Sequence, residues 1–137
     1  MSKTYSFFVE GIPVTQGSKC LGRTKTGRNY MRDVNGTRLR DWRNTIAKTA
    51  IARKIECLTG PVELWCHFYL PRGKTVKREH PTVKPDLDKL MRAVGDALTN
   101  IAWADDAQII DHHSSKRYAP DGATNLREGV WIDIVEM

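Results

Sequence analysis

The segment that organises this chain is residues 84–111, which read KPDLDKLMRAVGDALTNIAWADDAQIID. Six of the 16 acidic residues lie in it, although the whole protein carries a net charge of +6. Its apolar residues recur at helical spacing and predict a helix from about Asp88 to Leu98 with one buried face. The run from Ala107 to Tyr118 then predicts a strand. This segment thus combines a predicted helix, a predicted strand and a cluster of acidic residues within a basic protein.

Two acidic pairs, Asp86 with Asp88 and Asp105 with Asp106, precede or open the predicted helix and strand. Residues two apart share a face of an extended segment, so the first pair can point into one site. The second pair can complete a hard oxygen site of the kind that Mg²⁺ or Mn²⁺ prefers. Such ions promote phosphodiester hydrolysis because they acidify water and neutralise charge on the attacking and leaving oxygens. Arg92 lies one helical turn beyond Asp88, on the same face.

Each acidic pair also has a simpler interpretation. An Asp before a helix commonly only caps it, and an Asp-Asp pair in a loop is commonly only solvated. Either pair alone favours this structural role. On chemistry alone, the two pairs together leave the structural role and the metal site evenly matched.

Three short motifs in this segment resemble, in order and spacing, the signature of the RusA family of Holliday junction resolvases. They occupy residues 84–90, 96–99 and 103–109. The flanking order of strand, basic segment, helix and final strand is compatible with the family over nearly the whole chain. The resemblance implies a Mg²⁺-dependent, homodimeric endodeoxyribonuclease that resolves Holliday junctions and other branched DNA.

The resemblance also implies roles for individual residues. The family's essential carboxylates fall on Asp86, Asp88 and Asp106, with Asp105 beside them as a further metal residue. The family's catalytic lysine falls on Arg92, which keeps a positive charge near the scissile phosphate but does not release a proton in a protein. Arg92 is therefore predicted to stabilise charge and not to transfer protons.

Charge is distributed unevenly along the chain. Residues 1–84 carry a net charge of +11, and residues 85–137 carry a net charge of −5. A basic body with a concentrated acidic cluster is more typical of a nuclease than of a protein that only coats DNA. A solvated surface of mixed charge would give the same totals.

Two basic loops are predicted to contact the DNA backbone. The first lies between Pro13 and Leu39, where four glycines argue against a packed element, and the second occupies residues 71–84. Lys and Arg in such loops contact phosphates, although a purely solvated loop has the same composition. The residues predicted to bind DNA are Lys19, Arg23, Lys25, Arg28, Arg72, Lys74, Lys77, Arg78 and Lys84.

Other ligands and environments are disfavoured by the sequence. Residues 17–24 nearly match a phosphate-binding loop, but Arg23 replaces the required lysine and no helix start follows, so no nucleotide cofactor is predicted. Three cysteines without a Cys-x-x-Cys pair, and no signal-peptide pattern after Met1, predict a cytoplasmic protein with reduced thiols. No apolar run approaches the roughly 20 residues that span a membrane.

Hydrophobic periodicity predicts an α+β fold. Residues 1–137 are predicted to form one domain, a mixed sheet of about four strands with two main helices, in a homodimer whose two sites make paired cuts. Ile46 and Ile51 are predicted to share an apolar stripe that packs in the core or in the dimer interface, and Cys66 is predicted to lie in the core. His112 and His113 are strand neighbours, so at most one should reach the metal. The predicted elements are strands 4–12, 62–70, 107–118 and 129–136 and helices 39–55 and 88–98.

Two other functions stay open at the level of sequence. One is a non-catalytic basic module that binds nucleic acid, in which the aspartates only cap and solvate. The other is a less specific nuclease that acts on flaps or replication forks. A gel shift beside a metal-dependent cleavage assay separates the first, and a comparison of branched substrates separates the second.

Overall fold

The computed structural model describes residues 3–17, 19–23, 25–33, 36–120 and 127–137, with the backbone alone described at 19–23 and 29–33. None of the helices in these ranges is long and apolar enough to cross a bilayer. The elements in chain order are β1 (Thr4–Glu10), β2 (Lys19–Arg23), β3 (Asn29–Asp33), α1 (Gly36–Ala52), β4 (Val62–Leu70), α2 (Leu87–Leu98), β5 (Ile109–Tyr118) and β6 (Gly129–Glu136).

The main sheet contains four strands in the order β1-β6-β4-β5, and β2 and β3 form a separate hairpin. Strand β6 runs antiparallel to both β1 and β4, whereas β5 runs parallel to β4. A parallel pair requires a crossover connection, and α2 supplies it. The two acidic pairs of the sequence therefore fall at the two ends of this crossover helix.

Strand β4 shows how the sheet divides into two faces. Val62, Leu64, Cys66, Phe68 and Leu70 are buried, whereas the residues between them are only partly buried. This is the two-residue period of a strand with one face in the core. Both helices contribute to the same core cluster, so they cover the buried face. The core position of Cys66 is confirmed, and burial raises the pKa of its thiol above the ordinary value.

The structure confirms the α+β class, with a four-stranded mixed sheet and two helices, and it moves several boundaries. Helix α1 begins at Gly36 instead of Leu39 and ends at Ala52, and the first strand ends at Glu10. Strand β5 begins only at Ile109, after a short 3-10 turn at Asp106–Gln108.

Ile51 does not belong to the part of the apolar stripe of α1 that packs in the core of the chain. Ile51 is 61% exposed, whereas Ile46 is 0% exposed. Five residues of α-helix correspond to a rotation of about 140°. A helix that buries Ile46 therefore turns Ile51 towards solvent.

These two isoleucines give a matched test of the packing. Ile46→Ala should lower the free energy of unfolding by about 2–5 kcal/mol, because it removes buried methyl groups and leaves a cavity. Ile51→Ala, the control in the same helix, should change it by less than about 0.5 kcal/mol. Urea denaturation followed by circular dichroism measures both values, and equal losses would contradict this packing of α1.

Candidate active site

Asp86 occupies the N-cap position of α2, where the backbone is extended, with φ −73° and ψ 135°. Its side chain makes no capping hydrogen bond, although a carboxylate at this position commonly does. It forms a loose ion pair with Lys89, with 3.8 Å between Oδ2 and Nζ. Asp88, in the first turn of the helix, is exposed like Asp86. Both carboxylates at this end of α2 are therefore accessible to a ligand.

Lys116 of β5 anchors the segment that leads into Asp86. Its ammonium group donates hydrogen bonds to the carbonyl oxygens of Val83 and Pro85, both at 2.8 Å. Lys116 pairs with Phe68, whose side chain lies in the core, so Lys116 projects from the helix-covered face of the sheet. A strand at the edge of the sheet thus fixes the backbone before the first acidic pair.

Asp106 lies at the other end of α2, at the approach to β5. Its Oδ1 accepts hydrogen bonds from Thr99 Oγ1 at 2.7 Å and from Trp103 Nε1 at 2.9 Å. Trp103 is fully buried, so its indole is a firmly held donor. The carboxylate lies against Gly95 of α2, where a Cβ would be 3.6 Å from Oδ2. The two bonds at Oδ1 orient the group and leave Oδ2 as the oxygen for a ligand.

Asp105 has a structural role. Its Oδ1 accepts a hydrogen bond from the Ala107 N–H at 2.9 Å and caps the short 3-10 turn. The side-chain oxygen of Gln108 accepts a hydrogen bond from the Asp105 N–H at 3.0 Å. Its side-chain nitrogen donates to the carbonyl oxygens of Leu58 and Gly60 and so connects the turn to that segment. The sequence raised solvation for this pair and capping for Asp86 and Asp88, but it is Asp105 that acts as a cap. Asp106 is therefore the better placed of the two for a ligand.

Arg92 lies on the face of α2 between the two acidic positions. Asp88, Arg92 and Gly95 are separated by four and three residues, so they follow one stripe of the helix. The stripe is about 10 Å long, and Asp106 lies against its Gly95 end. Arg92, Asp106 and His112 line one cavity of about 260 Å³. A cation therefore stands between acidic groups that belong to the two ends of α2.

The predicted metal residues are not gathered into one compact group of ligands. Among the described residues, the carboxylate oxygens of Asp86, Asp88 and Asp106 do not all come within 4.8 Å of one another. Mg²⁺ is commonly bound through one or two carboxylates, with water and substrate phosphate oxygens completing its coordination. Accessible carboxylate oxygens around a site that stays open to substrate fit this hard ion.

A different group of donors comes together on the opposite face of the sheet. Ligand atoms of Glu63, Asp111 and His113 all lie within 4.8 Å of one another. His113 stacks on Trp65 with 3.8 Å between ring centroids, and the Trp65 indole donates to Glu63 at 2.9 Å. Sequence reasoning missed the group because it depends on the register that pairs Glu63 with Asp111. The available signal was the alternation of Asp111 and His113, while His112 projects to the other face, as predicted.

Asp96 interacts electrostatically with the acidic and with the basic groups of the site. Burial raises the pKa of the Asp96 carboxyl above the ordinary value, and the nearby Asp106 carboxylate raises it further, while Arg43 and Arg92 oppose the shift. The Asp96 carboxylate accepts a hydrogen bond from the Gln16 side chain. The raised pKa means that the folded state is penalised for carrying this charge.

The basic loop between β4 and α2 is shaped by one of its own arginines. The Arg72 guanidinium donates to the carbonyl oxygens of Arg78 at 2.7 Å and Glu79 at 3.2 Å, and it lies 4.4 Å from the centroid of the Tyr118 ring. Arg72 thus organises the loop from within. The side chains of Lys19 and Arg23 lie outside the described residues. The other predicted DNA-binding residues are exposed, namely Lys25, Arg28, Lys74, Lys77, Arg78 and Lys84.

The anchoring role of Lys116 leads to a first prediction for the site. Lys116→Met keeps the aliphatic stem but removes both hydrogen bonds, so it should lower the free energy of unfolding by about 1 kcal/mol and speed amide exchange near Asp86. Arg117→Met is the matched control, because Arg117 is exposed on the other side of the same strand. Urea denaturation and hydrogen exchange measure both effects. Equal changes in the control would rule out the anchor.

The environment of Asp96 leads to a second prediction for the site. Asp96→Asn should raise the free energy of unfolding at pH 7, because it removes a carboxylate whose folded-state pKa lies above the ordinary 3.8. The gain should shrink as the pH falls through the pKa of Asp96 and vanish well below 3.8, where the wild-type carboxyl is protonated in both states. Urea denaturation in metal-free buffer across this range measures it. A gain that grows on acidification would contradict the cause given for the shift.

Sequence comparison relates this chain to known proteins. The family model described as Endodeoxyribonuclease RusA matches residues 10–127. The "Uncharacterized protein YqaN" of Bacillus subtilis (strain 168) is 33% identical over 128 residues, with 84% of this chain and 88% of that protein covered. The family match contains both acidic pairs and Arg92 and spans most of the described fold. The chain therefore belongs to the RusA family of endodeoxyribonucleases.

Proposed function

We propose that this protein is a Mg²⁺-dependent endodeoxyribonuclease that resolves four-way DNA junctions by paired cuts in the phosphodiester backbone. Family membership supports nuclease action on DNA. The observation that carries the proposed site is the state of Asp86, which stands at a helix N-cap without capping the helix. A carboxylate that stays exposed and uncapped at this position, with only a loose ion pair to Lys89, is available to a metal ion.

One or two ions would be held by Asp86, Asp88 and Asp106, whose hard oxygen donors suit Mg²⁺ and also accept Mn²⁺. When bound, such an ion supplies acidification of water and neutralisation of charge on the phosphate. Asp106 is prepared for this role by the two hydrogen bonds that occupy its Oδ1. Lys116 does the corresponding work at the other end of α2, where it fixes the segment before Asp86. These contacts set the approach of both acidic groups before substrate arrives.

Arg92 would stabilise the negative charge that develops on the phosphate during cleavage. Its guanidinium presents a planar fork of N–H donors that fits phosphate oxygens. Because it does not release a proton, proton transfer falls to water and to the carboxylates. The stripe that joins Arg92 to Asp88 supports this position beside the ion.

Branched DNA would reach the site along the exposed basic side chains of the loop between β4 and α2. Phosphate contacts of this kind position a duplex without reading its sequence. A homodimer would set two active sites about a two-fold axis, which suits paired cuts at symmetric positions of a junction.

The group of Glu63, Asp111 and His113 is the competing place for a divalent ion. Its mixed imidazole and carboxylate donors suit Zn²⁺ or Mn²⁺ as well as Mg²⁺. It lies on the sheet face opposite to the cavity of Arg92. We propose that cleavage does not depend on it, because an ion there would be separated from Arg92 by the sheet.

Asp88→Asn should slow cleavage of a synthetic four-way junction in Mg²⁺ by at least about 100-fold, because it removes a metal ligand. Junction binding should be unchanged or tighter, since the variant removes repulsion between a carboxylate and phosphate. Asp111→Asn, the matched control, should cut like the wild type. Gel-based cleavage and gel shifts measure these quantities, and cutting by Asp88→Asn at the wild-type rate would remove the site assignment.

The same assay separates the other functions. Wild-type protein that binds junctions but cuts nothing in any divalent ion would favour a non-catalytic nucleic-acid-binding module. Faster cutting of flaps or replication forks than of four-way junctions would favour a less specific nuclease. Loss of cutting in Asp111→Asn with normal cutting in Asp88→Asn would move the ion to the opposite face of the sheet.

A further inference from the structure

A second cavity, of about 340 Å³, lies between α1, α2 and the chain that follows β1. Three arginines line it, Arg40, Arg43 and Arg92, and its lining includes no acidic residue of the described chain. We refer to it as the arginine cavity. Arg92 borders both this cavity and the one that contains Asp106. The arginine cavity therefore adjoins the proposed active site.

Arg43 is held at the cavity by a chain of hydrogen bonds. Its Nη1 donates to Gln16 Oε1 at 3.2 Å, and the Gln16 side-chain nitrogen donates to Asp96. The Gln16 backbone N–H also donates to the carbonyl oxygen of Lys89 at 3.1 Å. Gln16 is thus joined to α2 at two points and supports a guanidinium that belongs to α1. This support engages one of the five N–H donors of the guanidinium and leaves others for a ligand.

Arg92 reaches the cavity by lying over Gly17. Gly17 has φ +89°, a conformation that favours glycine, and a Cβ there would lie 2.9 Å from Arg92 Nη1. A side chain at position 17 would therefore displace the guanidinium. The glycine allows arginines from two different helices to converge on one space.

The charge inside the arginine cavity is incompletely balanced. Asp96 is the carboxylate that interacts with both Arg43 and Arg92, and it reaches Arg43 only through Gln16. Asp106 also lies beside Arg92, in the adjoining cavity, so two carboxylates face three guanidinium groups and an excess of positive charge is left. Planar guanidinium groups form paired hydrogen bonds with the oxygens of a phosphate. The ligand whose charge and shape suit this cavity is therefore a phosphate diester.

We propose that the arginine cavity binds a non-scissile phosphodiester group of the DNA strand that is cut, and that Gln16 and Asp96 position Arg43 for this contact. The inference rests on the proposed nuclease function, because that function brings a strand to Arg92. Successive phosphates of one strand are about 3.4 Å apart along the helix axis. A strand with its scissile phosphate beside Asp106 and Arg92 therefore carries a neighbouring phosphate towards the adjoining cavity.

Junction binding without divalent metal, measured as a function of salt, tests this contact separately from cleavage. Arg43→Ala should weaken binding about tenfold and lower the slope of log K against log salt by about 0.7–0.9, as for one lost phosphate contact. Arg53→Ala is the charge-matched control, because Arg53 is exposed just beyond the other end of α1. Equal effects of the two variants would overturn the proposal.

Two further variants keep the test independent of folding and probe the support of Arg43. Arg43→Lys keeps the charge but loses the fork, so it should preserve the salt slope and weaken binding less than Arg43→Ala does. Gln16→Ala should weaken binding through Arg43, so the double variant should bind no more weakly than Arg43→Ala alone. Additive losses would overturn the positioning role of Gln16.

Parallel measurements separate the failure of this proposal from failure of the nuclease function. Wild-type protein that cuts nothing in Mg²⁺, with the Arg43→Ala binding defect intact, would overturn the nuclease function and support the phosphate contact. Normal cleavage with no difference between the Arg43 and Arg53 variants would overturn the contact alone. Calorimetric titration with inorganic phosphate tests whether the cavity instead binds a free phosphate ion. Phosphate binding that does not compete with junction binding would overturn the assignment to DNA.

Discussion

The parallel pairing of β4 with β5 is the constraint on which the rest of this structure depends. Strands that run in the same direction cannot be joined by a tight turn, so the chain must cross over through α2. The crossover places Asp86 at one end of the helix and Asp106 at the other, with Arg92 on the face between them. The same pairing brings Lys116 from β5 to the segment before Asp86. One topological requirement thus assembles acidic groups that are separated in sequence.

The proposed site contains residues that would contact a ligand and residues that hold those side chains in place. Asp86 and Arg92 are exposed and lightly restrained, whereas Asp106 is oriented by the buried Trp103. Asp96 contributes on both sides, because it supports the Gln16 chain and lies near the Asp106 carboxylate. The raised pKa of Asp96 marks a local cost in stability, as is common where like charges are gathered for a ligand.

Much of the fold was predictable from sequence because its signals are local. The alternation of β4, the helical spacing of α2 and the motif spacing each depend on neighbouring residues, and each is borne out. The exposure of Ile51 was missed because the residue was assigned by its hydrophobicity, without the rotation of about 140° that separates it from Ile46 in a helix. The anchor at Lys116 and the group at Glu63 were not predictable in full, since they depend on hydrogen bonds or strand register between distant segments. The capping bond of Asp105 is local, to the Ala107 N–H, but the sequence predicted a strand from Ala107 and not the 3-10 turn that this aspartate caps. Sequence therefore indicated which acids to consider but not which oxygens were already engaged.

The position of a bound ion tests the central claim most directly. Crystals grown with Mn²⁺ allow the ion to be located by its anomalous scattering. The account predicts one or two peaks coordinated by the carboxylates of Asp86, Asp88 and Asp106, on the helix-covered side of the sheet. A peak held only by Glu63, Asp111 and His113, with the α2 carboxylates free of metal, would contradict it.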